Sequence, residues 1–147
     1  MIGVSSCLAG INCTFKGQNH LIKRIQKMVV SKEAVMFCPE VLGGMSTPRE
    51  PCEIINGKVI SCSGVDHTKE YYDGAYRALN LLQKLQVNVV LLKSKSPSCG
   101  KGKVYDGTFQ HVLVNGNGIT VKVLEENGII VYNEDKIEEF FKYIEKR

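Results

Sequence analysis

The 147-residue sequence predicts an α/β fold: a single domain with a mainly parallel, Rossmann-like sheet flanked by helices, plus a small β-hairpin. Three observations predict it. Short apolar runs alternate with stretches of helical periodicity. The most apolar run, Val87-Asn88-Val89-Val90-Leu91-Leu92, is what a strand covered on both faces requires. Three such runs lead into a cysteine: Val4-Ser5-Ser6-Cys7, Val35-Met36-Phe37-Cys38, and the 87–92 run followed by Lys95-Ser96-Pro97-Ser98-Cys99-Gly100. If these are neighbouring parallel strands, Cys7, Cys38 and Cys99 meet beyond one sheet edge, where open α/β sheets gather ligands.

The elements follow in order. Ile2 to Ser6 reads as a short buried strand, and Cys7 to Asn19 as a loop holding Cys13. Helical spacing from about His20 puts Leu21, Ile22, Ile25, Met28 and Val29 on one side. Ala34 to Phe37 is a second strand, ended by Pro39, and Gly43-Gly44 suits close backbone approach or positive φ. Residues 52–62 form a hairpin about Asn56-Gly57, the preferred type I′ pair, with Ile55 opposite Lys58 and Cys52 opposite Ser61. Cys62 then falls opposite Pro51 on the other face from Cys52, so the two read as structural thiols rather than a disulfide.

Thr68 is the expected N-cap of a helix running to about Gln86, with Glu70 favourable in its first turn. After the 87–92 strand comes a long loop, 93–107, rich in Lys, Ser and Gly; loops of that length tend to carry function. A short helix over about 120–127 with Gly128 at its end, a strand over Ile129 to Tyr132 and a last helix packing Ile137, Phe140, Phe141 and Ile144 complete the chain.

Composition is that of an ordinary globular domain, 44% hydrophobic and 23% charged, and the chain is read as one domain over residues 1–147. No apolar run approaches the ~20 residues of a membrane helix, and no secretory leader opens the sequence, so no membrane partner is expected and the expected compartment is the cytoplasm. A net charge of +4 permits an anionic substrate but falls short of a nucleic-acid-binding surface. Six cysteines in a reducing compartment point to metal or thiol chemistry rather than a disulfide framework.

Spacing alone leaves the cysteines open to two readings. No pair of CxxC units is present, nor the CxxCxxC run of bacterial ferredoxins. A dispersed set on strand ends still suits a metal or cluster; buried free thiols are the plainer alternative. Glu40, just past Cys38 and Pro39, can act as a general base or acid near a metal, or as a helix-capping acid. Ser96 and Ser98 suit proton relay or turn chemistry, and Lys93, Lys95, Lys101 and Lys103 suit either an anionic ligand or a solvated loop. The three histidines receive no role.

Four motifs together resemble one family. They are Val4-Ser5-Ser6-Cys7-Leu8-Ala9-Gly10 with Cys13; Cys38-Pro39-Glu40-Val41-Leu42-Gly43-Gly44 with Thr47-Pro48-Arg49; Ser96-Pro97-Ser98-Cys99-Gly100; and Tyr105-Asp106-Gly107-Thr108-Phe109. The chain is similar, from residue 2 to about 132, to the small bacterial and archaeal domain whose characterised members are thiouracil desulfidases. The resemblance implies a [4Fe-4S] cluster held by Cys7, Cys38 and Cys99 with one iron open, and Glu40 and Ser96 as the catalytic pair. It implies Cys13 as an additional ligand or a residue beside the open iron. The implied reaction is non-redox desulfuration of a 2-thiouracil-like base, the open iron taking the thiocarbonyl sulfur and sulfide leaving. After Cys13 this chain reads Thr14-Phe15-Lys16, where family members more often carry arginine, tyrosine and aspartate.

The implied partner is a thiolated nucleobase or nucleoside, with tRNA as a further candidate. Two rival readings remain at this level. One is a sulfur carrier or sulfurtransferase in tRNA thiolation. The other is a non-catalytic Fe–S or zinc protein with Cys13 as fourth ligand. No interface stripe stands clear of the core periodicity, so the sequence sets no oligomeric state.

Overall fold

A computed structural model describes residues 1–147. Four short strands make a wholly parallel sheet: β1 (Ile2–Ser5), β2 (Ala34–Phe37), β5 (Val89–Leu92) and β8 (Ile130–Asn133), in the order β2-β1-β5-β8. Two antiparallel hairpins stand outside it, β3 (Cys52–Ile55) with β4 (Lys58–Ser61), and β6 (Lys103–Tyr105) with β7 (Leu113–Asn115). The helices are α1 (Lys23–Val30), α2 (Pro39–Leu42), α3 (Thr68–Lys84), α4 (Ile119–Glu126) and α5 (Ile137–Glu145).

The sheet divides the core in two. On one face Ile2, Val4, Val89 and Leu91 pack with Ile25 of α1 and Phe140 of α5. On the other, Val90, Leu92 and Val131 pack with Leu79 and Leu82 of α3 and Ile119 and Leu124 of α4. All four β5 residues are 0% exposed, which explains why this run lacks polar alternation. Each large apolar side chain so buried contributes roughly 1.5–3 kcal/mol before ordering costs.

Chain direction gives the sheet its working edge. From β1 the chain passes through α1 to β2 on one side; α3 then returns it across the opposite face to β5 on the other side of β1. The strand order therefore reverses beside β1, and a crevice opens at the carboxyl ends of β1 and β5. Ser5 closes its base: its Oγ accepts from the Lys93 amide at 3.0 Å.

The hairpin register is the expected one, with Ile55 opposite Lys58 and Cys52 opposite Ser61, and both Asn56 and Gly57 have positive φ as a type I′ turn demands. Cys52 is buried, Cys62 is exposed, and all six cysteines are free.

Several expectations shift. The first helix begins at Lys23 rather than His20, because the His20 and Ile22 amides are already committed to the Cys7 and Leu8 carbonyls at 2.9 Å each. Thr68 is not the N-cap of α3. His67 holds that position, the Thr68 hydroxyl accepts from the Val59 amide, and Asp66 takes the Thr68 amide instead. That helix stops at Lys84, and Gln86 turns the chain at positive φ. The β6–β7 hairpin, part of it inside the supposed 93–107 loop, was not expected. Its strands have three residues each and β7 is exposed throughout, so no apolar alternation marks it.

Candidate active site

Three strand ends deliver three thiols. Cys7 lies in a 3-10 turn directly after β1, Cys38 is the N-cap of α2 directly after β2, and Cys99 lies seven residues beyond β5. They line one cavity of about 450 Å³, with Cys13, Glu40 and Ser96 in the same wall. All six residues that the family resemblance assigned to the site therefore line it. Cys52, read as structural, lines this cavity as well, as do His20, His111, Lys93 and Lys95. Lys101 and Lys103 turn elsewhere, to Glu125 and Asn115.

The Cys99 loop is braced from within and from α4. Ser96 Oγ accepts from the Ser98 and Cys99 amides, both at 2.9 Å, so its turn role is real; the hydroxyl hydrogen remains to be donated. Ser98, by contrast, is buried with its hydroxyl 2.7 Å from Thr120 Oγ1. It holds the loop to α4, whose Ile119 and Thr120 amides donate to the Pro97 and Ser98 carbonyls. On the β8 side, Glu134 accepts from the Lys93 ammonium at 3.0 Å and from the Ser94 amide and hydroxyl. Burial works against this carboxylate, but those bonds hold it below the ordinary range.

Glu40 stands in the first turn of α2 with both carboxylate oxygens engaged. Oε1 accepts from the Tyr71 hydroxyl at 2.6 Å, and Oε2 pairs with the Arg49 guanidinium. Tyr71 reaches it because α2 and α3 approach at two glycines. A Cβ on Gly43 would sit 2.0 Å from the Glu70 carbonyl oxygen, and one on Gly74 would sit 1.9 Å from that of Pro39. Burial would favour a neutral Arg49, yet the Glu40 carboxylate more than offsets it and the guanidinium stays charged. Arg49 and Tyr71 have no signal in the sequence beyond the Thr-Pro-Arg motif, since each contact depends on how loops and helices pack.

As free thiols, Cys13, Cys38 and Cys99 resist ionisation. Burial pushes Cys99 up, and the neighbouring Cys13 sulfur, with burial, pushes Cys38 up. Cys13, drawn down by Cys38 but pushed up further by Cys7 and burial, rises to about 11. A bound metal reverses this order, because a coordinated thiol is deprotonated outright. No three His, Cys, Asp or Glu side chains are grouped tightly enough for a single ion. A multi-iron cluster would be held by thiolates that need not converge on one ion, and Cys7, Cys38 and Cys99 would be its ligands. The donor set fits such a cluster: soft thiolates are its usual ligands, and the buried Arg49 Nε beside them is left without a partner.

Taken together, the fold and site define a doubly wound α/β protein with a thiol-walled cavity at the switch point of its sheet. A family model described as 2-thiouracil desulfurase matches residues 2–136, and the chain belongs to that family. It is 43% identical to the uncharacterized protein YbbK of Bacillus subtilis (strain 168), across 93% of this chain and 97% of that one. Among solved structures it resembles the [4Fe-4S]-dependent thiouracil desulfidase TudS, with a TM-score of 0.94 and 37% identity over 99% of this chain and 98% of that one. The expected parallel α/β architecture and family are thereby borne out.

Proposed function

We propose that residues 1–147 act as one desulfidase domain that removes sulfur from a thiolated nucleobase of the 2-thiouracil kind, using a [4Fe-4S] cluster. Family membership makes the protein an enzyme acting on a C–S bond. The observation that carries the rest is the meeting of Cys7, Cys38 and Cys99 with Glu40 and Ser96 in one cavity. Six free cysteines suit a reducing compartment, consistent with the cytoplasm.

In this reading Cys7, Cys38 and Cys99 hold the cluster as thiolates, and Cys13 stands beside them as a fourth thiol. The cluster, with one iron not bound by protein, supplies a Lewis acid for a soft thiocarbonyl sulfur without net electron transfer. Glu40 takes a proton from the attacking water: Arg49 and Tyr71 occupy two of about four lone-pair positions on its carboxylate, leaving others to accept. Ser96 Oγ, fixed by the two amides it accepts from, passes its hydroxyl proton toward the departing group.

The test is anaerobic reconstitution followed by assay of sulfide released from 2-thiouracil. Glu40→Gln is expected to keep its iron and acid-labile sulfide while losing turnover by about 100-fold or more. Alanine at Cys7, Cys38 or Cys99 is expected to lower the iron bound. A fully active Glu40→Gln enzyme would refute the assignment. Sulfide appearing on an acceptor nucleoside rather than in solution would favour the sulfur-carrier role in tRNA thiolation.

A further inference from the structure

The Glu40 carboxylate is clamped from two directions. Tyr71, 2% exposed, donates to Oε1, and Arg49, whose side chain is 4% exposed, pairs with Oε2. The same Arg49 nitrogen that meets Glu40 also donates to the Cys13 carbonyl at 2.9 Å. Its other terminal nitrogen bonds the Ser46 carbonyl and the Thr47 hydroxyl, both at 3.1 Å, and its backbone amide donates to the Phe15 carbonyl at 2.8 Å. One planar guanidinium thus joins three pieces of chain: the Cys13 loop, the 46–49 segment and the first turn of α2. Only a fork of fixed donors spans them at once, and a lysine ammonium cannot reproduce that geometry.

The arrangement exceeds what stability asks of a buried pair, which ordinarily gains little over apolar packing. What it does achieve is placement. A glutamate has three side-chain torsions, whereas a general base has to sit within hydrogen-bond reach of the proton it takes. With Oε1 tied to α3 and Oε2 tied to the Cys13 loop, the carboxylate has one position relative to the thiol wall.

We infer that Arg49 and Tyr71 are positioning residues for Glu40, and that Arg49 works by tethering the carboxylate to the loop that carries Cys13. The inference rests on Glu40 being the base. In this role both act through the Glu40 carboxylate.

A double-mutant cycle tests it, with iron and acid-labile sulfide per chain measured for every variant. Tyr71→Phe removes only a hydroxyl. It is expected to keep its cluster and its KM within about twofold while kcat falls about 10- to 100-fold, as small misplacements of catalytic groups do. In the Glu40→Gln background the same change is expected to alter kcat by less than about twofold, because the group it positions is gone. A loss of equal size in both backgrounds, or a raised KM with kcat intact, overturns the inference while leaving Glu40 as base. Wild-type kcat in Glu40→Gln alone overturns the parent reading instead.

The tether has a readout apart from turnover. In the chain without its cluster, Arg49→Gln is expected to raise amide hydrogen exchange in the Cys13 loop by about tenfold, with the Ser96–Gly100 turn unchanged, while Arg49→Lys raises it less. Equal acceleration in both segments would mean general loosening, and none in the Cys13 loop would mean no tether; either result overturns the role given to Arg49.

Discussion

Gly74→Ala sets two principles against each other. In the interior of an exposed helix this change stabilises by about 1 kcal/mol, because alanine is the better helix former. Here the new Cβ would lie 1.9 Å from the Pro39 carbonyl oxygen, and ordinary contact begins near 3.4 Å, so α2 and α3 have to separate by about 1.5 Å, the difference of the two. The obstacle is backbone, which cannot rotate aside. Overpacking of this kind costs about 3 kcal/mol or more, leaving a net loss of roughly 2 kcal/mol after the propensity gain. For a chain of this length that corresponds to a Tm lowered by roughly 4–8 °C. Urea unfolding of the cluster-free chain gives the sign directly, as a lower midpoint at constant slope. The separation also draws Tyr71, one helical turn earlier, away from Glu40, so turnover falls as well. A midpoint raised by the amount propensity alone supplies would refute the close-packing argument.

Two further outcomes follow from the same geometry. Thr120→Val leaves the buried Ser98 hydroxyl without its 2.7 Å partner, which costs about 1–3 kcal/mol in urea unfolding and loosens the Cys99 loop, seen as reduced iron retention against a chelator. The folded-state pKa of Glu134 is depressed from its ordinary 4.5, so its contribution to stability is present above that value and is lost as pH falls through the folded one. Glu134→Gln should therefore flatten the pH dependence of unfolding below about pH 5 in the cluster-free chain, and an unchanged slope would count against the Glu134–Ser94–Lys93 network.

What the sequence reveals about this protein is governed by range. Cys7, Cys38 and Cys99 could be placed on one edge because each follows a short apolar run, and parallel pairing carries such ends to the same side. The hairpin register could be read from Asn56-Gly57, a local turn preference. Gly43-Gly44 was legible in kind: Gly43 gives close approach and Gly44 has positive φ. The clamp on Glu40 was not legible, because Tyr71 lies 31 residues away and comes within reach only through a helix crossing at Gly43 and Gly74. Thr68 misled for a similar reason. Its hydroxyl had two possible partners, and the nearby β4 amide of Val59 won over the helix terminus. His20, on a loop, and Cys52, at the start of β3, line the cavity through tertiary packing, about which periodicity is silent.

The position of β1 in the sheet also constrains when the site can come into being. β1 is an interior strand, flanked by β2 and β5, and its second neighbour begins only at Val89. At about 5–20 residues per second, Cys7 precedes Cys99 out of the ribosome by roughly 5–20 s. During that interval Ile2 and Val4 have no complete core to enter, and one edge of their strand is an open template for pairing with other chains. Maturation is therefore ordered in time: the sheet closes late, and until the Ser96–Gly100 turn has emerged the cavity lacks one of its thiol walls.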